Sequence, residues 1–294
     1  MDALFDRQPP TQLEIFIENP FLYLARGLYR LSARGARACT PRWMGTRTVR
    51  VVCVSDTHCH HADLPPLPEG DILIHSGDLT NSGTYRELRW ALHWLNDQPH
   101  QYKVFIAGNH DRGLSEDNEA RRELLNTFPG LIYLQQSSTE ITVHGRTLHL
   151  YGSPLTPKQG SWAFQYPRNA ADQANWDAIP LRTDILITHG PPKYHLDNGF
   201  GCAALLQSLW QVRPTLHVFG HIHSARGVEC LTWNDAQAAY ERICAGTSRY
   251  GDLLRLILGA CQWLSLHSTT ILVNAASVGG LMNQKSFPAV VVDV

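Results

Sequence analysis

The chain has 294 residues, 44% hydrophobic and 17% charged, with a formal net charge of −1. That length leaves room for a substantial core, and the composition excludes a disordered chain. There is no basic excess to neutralise a nucleic-acid backbone, so no nucleic-acid polymer is expected as a partner and an anionic substrate must be held by a local site.

Residues 1–47 form an N-terminal extension ahead of the first apolar run, and the pattern predicts that it is helical. Its segment "NPFLYLARGLYRLSARGARA" carries Arg26, Arg30, Arg34 and Arg37 at near-helical spacing, opposite Phe21, Leu24, Leu28 and Leu31. This reads as a helix packed on the flank of the protein with its arginines in solvent. Peripheral contact with an anionic membrane is the alternative.

Short apolar runs then stop abruptly in polar residues: "TVRVVCVSD" (48–56), "DILIHSGD" (71–78), "KVFIAGNH" (103–110), "DILITHG" (184–190), "LHVFGHIH" (216–223) and "TILVNAAS" (270–277). Such runs predict buried strands. Thr84 followed by Glu87 makes a capping box ahead of "LRWALHWLND", and residues 115–127 and 202–212 are further helix candidates. "ITVHGRTLHLYG" alternates around a His-Gly turn and predicts a hairpin. Strands alternating with helices predict an α/β domain over 48–294, with an insertion at about 226–269. Within the insertion, "GDLLRLILGACQWLSL" is interrupted by Arg255 and too short to span a bilayer. It reads as core or subunit contact.

The seven cysteines (39, 53, 59, 202, 230, 244 and 261) are scattered, with no CxxC pair. That argues against a disulfide framework and for a reducing compartment. The opening "MDALFDRQPPTQ" lacks the apolar run of a signal peptide, so a cytoplasmic location is expected.

All but the last of the apolar runs finish in a potential metal ligand or catalytic group. They supply Asp56 and His58, then Asp78, then Asn109 and His110, then His189, then His221 and His223. In an extended chain residues i and i+2 share a side, so D-x-H and H-x-H would each aim a pair in one direction. Sites in α/β sheets gather at the carboxyl ends of strands. Aspartate, asparagine and imidazole together suit Mn, Fe or Zn without any thiolate. The number of ligand candidates exceeds what one tetrahedral ion uses and suffices for two ions sharing a carboxylate.

The ordered series "DTH", "GDLT", "GNHD", "THGPP" and "GHIH" resembles the calcineurin-like metallophosphoesterase superfamily. It is most similar to the metallophosphoesterase-domain group that includes cyclic-nucleotide phosphodiesterase-like members. The resemblance implies a four-layer α/β/β/α sandwich and a centre of two divalent metal ions per chain. One ion would be held by Asp56, His58, Asp78 and His223. Asp78 would bridge to the second, completed by Asn109, His189 and His221. His110 would protonate the leaving oxygen or stabilise the phosphoryl group, with Asp111 as its electrostatic support. The implied reaction is hydrolysis of a small phosphodiester, with cyclic nucleotides as candidate substrates, by a metal-bound hydroxide.

A phosphomonoesterase on the same site is the close rival, and a weakly catalytic nucleotide-binding scaffold is the rival of another class. "GDLTNSG" lacks the arginine of the protein serine/threonine phosphatases, and Thr80 stands where the tyrosine-ligated acid phosphatases have tyrosine. Trp162, Phe164 and Tyr166 of "SPLTPKQGSWAFQYP" read equally well as a stacking platform for a base or as loop anchors. His60 and His61 lie near the site. His75, His93, His144, His149, His195 and His217 read as ordinary packing or surface residues.

Overall fold

The structure is a computed structural model, described over residues 11–35, 48–170, 174–247, 250–260, 268–280 and 285–294. Arg37, Cys39 and residues 261–266, singled out in the sequence, lie outside the described residues.

Helices α1 (Gln12–Glu18) and α2 (Pro20–Gly35) precede β1 (Arg50–Val54), β2 (Ile72–His75), α3 (Tyr85–Asn96) and β3 (Tyr102–Phe105). Next come α4 (Glu119–Asn126), β4 (Leu131–Tyr133), β5 (Ser137–Val143), β6 (Arg146–Ser153), β7 (Thr156–Pro157) and β8 (Gln165–Tyr166). They are followed by β9 (Ile185–Thr188), α5 (Ala203–Val212), β10 (Leu216–Phe219), β11 (Gly227–Thr232), α6 (Asp235–Cys244) and α7 (Tyr250–Ala260). Strands β12 (Thr269–Asn274), β13 (Val278–Gly279), β14 (Lys285–Ser286) and β15 (Val290–Asp293) complete the described chain.

The long strands form two sheets. A five-stranded sheet runs β15-β1-β2-β3-β4, and a six-stranded sheet runs β11-β12-β10-β9-β6-β5. Side chains alternate across each strand. Val51, Cys53, Ile72, Ile74 and Val104 therefore face inward against Leu150, Ile185, Ile187, Val218 and Val273 of the other sheet. Their neighbours Val52, Val54, Leu73 and Phe105 face outward onto Leu88, Leu92 and Leu95 of α3 and Leu124 of α4. On the far side Leu186, Phe219 and Leu272 meet Leu205 and Leu209 of α5, together with Trp176 and Trp233. This is the four-layer α/β/β/α sandwich. Burial on both faces explains why the central strands are continuously apolar rather than alternating.

The capping box at the start of α3 is formed. The Thr84 hydroxyl accepts from Glu87 N at 3.3 Å, and the Glu87 carboxylate accepts from Thr84 N at 3.0 Å. Strand β11 lies in the region read as an insertion, yet it joins the six-stranded sheet antiparallel to β12. The helices from the two ends of the sequence pack on one another: Ala25 and Tyr29 of α2 bury against Ala236, Tyr240 and Ile243 of α6 and Leu256 of α7. Tyr29 stacks on Tyr240 with ring centroids 3.9 Å apart and donates to Gln237 Oε1 at 2.8 Å.

The buried stripe of α2 thus passes through Ala25 and Tyr29, whereas Leu24 is 54% exposed. Arg30 is exposed as expected. Among the described residues no helix is long and apolar enough to cross a membrane. Cys53, Cys59, Cys202 and Cys244 are free thiols, while Cys230 is disulfide-bonded.

Candidate metal centre

Strands β1, β2 and β3 are parallel in one sheet, and β9 and β10 are parallel in the other. The segments that follow their carboxyl ends meet at one rim of the sandwich. There Ser55 bridges to Ala276, and Ser277 N donates to Ser55 O at 2.7 Å, which ties the two sheets together.

Three overlapping triads lie at this rim, each with ligand atoms within 4.8 Å of one another: Asp56–His58–His223, His58–Asp78–His110 and Asp78–His189–His221. Around the first, His223 Nε2 lies 3.4 Å from Asp56 Oδ1 and 3.3 Å from His58 Nε2, and His58 Nε2 lies 3.7 Å from Asp78 Oδ2. Donors bound to one tetrahedral ion at about 2.1 Å are themselves roughly 3.4 Å apart, so this spacing suits a shared cation. Around the last, His189 Nε2 lies 3.3 Å from Asp78 Oδ2 and 3.1 Å from Asn109 Oδ1. The Asp78 carboxylate oxygen Oδ2 therefore faces both clusters. Every residue expected to bind metal is brought to one place.

His189 provides a direct test of whether these residues fit a cation. Its Nδ1 lies 3.0 Å from the Ser76 carbonyl, which can only accept, so Nδ1 carries the hydrogen. The Nε2 of the neutral ring then presents a lone pair to Asp78 Oδ2 and Asn109 Oδ1, which are also acceptors. Lone pairs converging in a buried site are satisfied by a proton or a metal ion, and an outer carbonyl fixing the tautomer is the usual arrangement behind a metal-binding histidine. Ser76 was not legible as a participant, because its role falls to a backbone carbonyl.

Without an ion, a proton on His189 Nε2 meets those lone pairs instead. Burial alone would lower the His189 pKa, but the Asp78 charge and hydrogen bond outweigh it and push it up to about 9. Burial alone would raise the Asp56 carboxyl, yet the His223 hydrogen bond and the charges of His223 and His189 hold it below its ordinary value. His58 falls to about 4 through burial, with His223 and His110 adding to the effect. His221 falls to about 3 through burial and the neighbouring His189 charge. Neutral His58 and His221 beside ionised Asp56 and Asp78 are the protonation states that bind metal.

The backbone reaches these positions by a different route from the extended one expected. Asp56 (φ 52°), His58 (φ 42°), Asp78 (φ 53°) and His221 (φ 67°) all lie in the left-handed region beyond their strands, and His223 begins a turn of 3-10 helix. Asp56 and His58 therefore share a cluster through tight turns and not through a shared strand face, whereas His221 and His223 go to different clusters. Each left-handed non-glycine residue costs on the order of 1 kcal/mol, a strain typical of functional sites. Glycine is needed beside them. A Cβ on Gly220 would collide with the Asp56 carboxylate, and one on Gly108 with that of Asp78.

His110 sits against this centre, its backbone N donating to Asp78 Oδ1 at 2.8 Å and its ring Nδ1 to the Asn81 carbonyl at 2.7 Å. Asp111 was expected to support His110, but its carboxylate is engaged elsewhere. It accepts from Leu79 N at 3.1 Å, Thr80 N at 3.0 Å, Thr80 Oγ1 at 2.7 Å and Gly108 N at 2.9 Å. Asp111 therefore joins the loop after β2 to the loop after β3, and the Asn81 carbonyl orients His110. Burial, followed by the Asp78 charge, raises the Asp111 pKa to about 6.

The remaining aromatic and histidine candidates separate. Phe164 packs in the core beneath α3 and α4, and Tyr166 is buried with its hydroxyl donating to Cys202 Sγ at 2.9 Å, so both anchor the loop. Trp162 lies on His110. His61 is buried against Trp90 and Trp94, and His60 pairs with Asp63 at 3.1 Å. His217 is buried and shares a hydrogen bond with Thr188 Oγ1 at 2.8 Å, as a core histidine should.

Comparison with known proteins adds the following. The calcineurin-like phosphoesterase family model matches residues 49–225. A probable rhamnogalacturonate lyase C of Emericella nidulans is 43% identical over 310 residues, covering 100% of this chain and 29% of that protein. Metallophosphoesterase domain-containing protein 1 of Homo sapiens is 41% identical over 208 residues, covering 61% of this chain and 62% of that protein. A UPF0046 protein of Caenorhabditis elegans is 36% identical over 208 residues, covering 64% of this chain and 68% of that protein. The chain thus spans less than two thirds of the length of the first two relatives.

Proposed function

This chain belongs to the calcineurin-like phosphoesterase family, and we propose that within it the chain is a binuclear hydrolase of small phosphodiesters, with cyclic nucleotides among the candidates. The observation that carries the reading is Asp78 Oδ2, which faces His58 Nε2 at 3.7 Å and His189 Nε2 at 3.3 Å. Asp56, His58, Asp78 and His223 would hold one ion, and Asp78, Asn109, His189 and His221 the other. Mn, Fe and Zn all suit these donors.

Held by these residues, two such ions would supply an activated water and charge neutralisation at the phosphoryl oxygens. The protein's own groups do the rest. The Ser76 carbonyl keeps the hydrogen of His189 on Nδ1, leaving Nε2 as a donor atom. The Asn81 carbonyl holds Nδ1–H of His110, so Nε2 is the atom that exchanges a proton with the leaving oxygen. Through four hydrogen bonds Asp111 keeps the Asp78 and Asn109 loops in register. None of the convergent residues is arginine or lysine. That supports a diester, with one negative charge, over a monoester, with two.

The test is steady-state hydrolysis of bis(p-nitrophenyl) phosphate, p-nitrophenyl phosphate, and 2′,3′- and 3′,5′-cyclic nucleotides, with metal content measured on the same sample. The expected result is close to two ions per chain, with kcat/KM for the diester at least about tenfold above that for the monoester, a difference of about 1.4 kcal/mol. A reversed preference would make the protein a monoesterase. Full metal loading and tight nucleotide binding without turnover would make it a scaffold.

A further inference from the structure

We infer that Trp162 is a positioning residue for His110, and that it sets how strongly hydrolysis depends on the leaving group. The inference rests on the phosphoesterase reading above and adds a residue to it.

The indole of Trp162 lies over the His110 ring with centroids 4.0 Å apart and planes inclined by 29°. His58 meets the same ring edge-to-face at 4.7 Å and 89°. The Nδ1 contact to Asn81 O, at 2.7 Å, is one point of attachment. An imidazole turns about a soft, broad χ2 torsion, and an aromatic face lying nearly parallel to the ring restrains that turn.

Trp162 is itself held in place through the residues that follow it. Ala163 N donates to Asn109 O at 3.2 Å, and Thr156 N donates to Phe164 O at 2.9 Å. The pairing of β7 with β8, Thr156 opposite Gln165 and Pro157 opposite Tyr166, closes the base of the loop. Phe164 and Tyr166 supply the loop's anchorage in the core, while Trp162 stays half-buried. A tryptophan carried on a loop tied to Asn109 and stacked on the ring of the next residue, His110, acts on that ring.

The consequence concerns proton delivery. Protonation of the departing oxygen matters for a poor leaving group and little for a good one, since a stable phenolate departs unaided. If the indole keeps His110 aimed at that oxygen, its loss will be felt selectively.

The experiment compares wild type, W162L and W162F on bis(p-nitrophenyl) phosphate and on a phenyl or alkyl diester, with metal content measured. W162L is expected to keep its metal and its KM, to lose about 10–100-fold in kcat on the poor leaving group, and to stay within about threefold on the good one. W162F, which restores an aromatic face, should recover most of the loss. In parallel, the ring protons of His110, assigned by their absence in H110A, should show a ring-current shift that disappears in W162L. An equal fall on both substrates, or a raised KM at unchanged kcat as expected of a substrate-stacking platform, would overturn the inference. So would the absence of the ring-current shift. A wild-type protein that hydrolyses no ester would contradict the phosphoesterase reading instead, and the ring-current shift separates that failure from this one.

Discussion

Asp78→Ala is expected to abolish stoichiometric binding of both ions and to lower kcat/KM roughly 10³-fold or more, equivalent to about 4 kcal/mol of lost transition-state stabilisation. Removal of any other ligand would strip one cluster. This one strips both, because Asp78 Oδ2 faces His58 on one side and His189 on the other. Its Oδ1 also accepts the backbone N–H of His110 at 2.8 Å, so the variant loses a tie between the metal centre and the acid. The fold should survive. The metal-free site buries Asp56, Asp78 and Asp111 together, and the Asp78 charge is one of the causes that raise the Asp111 pKa to about 6. Asp78 also pairs with buried His189 at 3.3 Å and accepts the His110 N–H, so the metal-free melting temperature of the variant should fall below that of wild type. Metal analysis, turnover and thermal denaturation on one preparation would show this. Retention of two ions would contradict the bridging assignment.

His110→Ala is expected to behave differently: both ions retained, turnover lowered about 10²–10⁴-fold, and the loss steepest on poor leaving groups. The reason lies in how His110 is held. Its Nδ1 is engaged by the Asn81 carbonyl at 2.7 Å, which leaves Nε2 for substrate. His110 also belongs to a triad with His58 and Asp78, which makes metal analysis decisive. Loss of one ion in the variant would make His110 a ligand, and unchanged turnover on a poor leaving group would remove it from catalysis.

Much of this arrangement is legible in the sequence, and the reason is physical. Central strands covered on both faces must be apolar throughout, so "VVCV" and "ILIT" stand out and their ends are sharp. The residues placed at those ends are metal-binding types with no better reason to be there. Two of the strands missed, β4 and β11, lack this signature. Strand β4 has three residues, all partly exposed, and in β11 the run GVECLT is partly exposed and broken by Glu229.

What holds the site was less legible. The Ser76 and Asn81 carbonyls act through the backbone, which leaves no mark in the side-chain pattern. The left-handed turns at Asp56, His58 and Asp78 defeated the two-residue rule: Asp56 and His58 still share a cluster, but His221 and His223 do not. Asp111 drew attention as a neighbour of His110, and only the three-dimensional path shows its carboxylate turned toward the amides of Leu79, Thr80 and Gly108.

His195 shows how much a packing residue can hold that the sequence does not display. It looked like packing or surface, and it is buried, with Nδ1 2.7 Å from Glu229 Oε1 and Nε2 3.4 Å from Glu241 Oε1. Burial would depress its pKa, but the Glu229 charge and hydrogen bond push it up to about 10. Gln237 joins the same cluster, and Tyr29 of α2 is tied to Gln237. The loop that follows His189 is thereby joined to α2, α6 and β11. Partners so distant in the chain leave no local pattern to read.

The most direct measurement is anomalous diffraction from crystals loaded with Mn²⁺, collected where manganese scatters strongly. Two peaks are predicted, one on each side of the Asp78 carboxylate, the first against Asp56, His58 and His223 and the second against Asn109, His189 and His221. A lone peak at full loading, or peaks away from Asp78, would contradict the shared carboxylate on which the proposed chemistry depends.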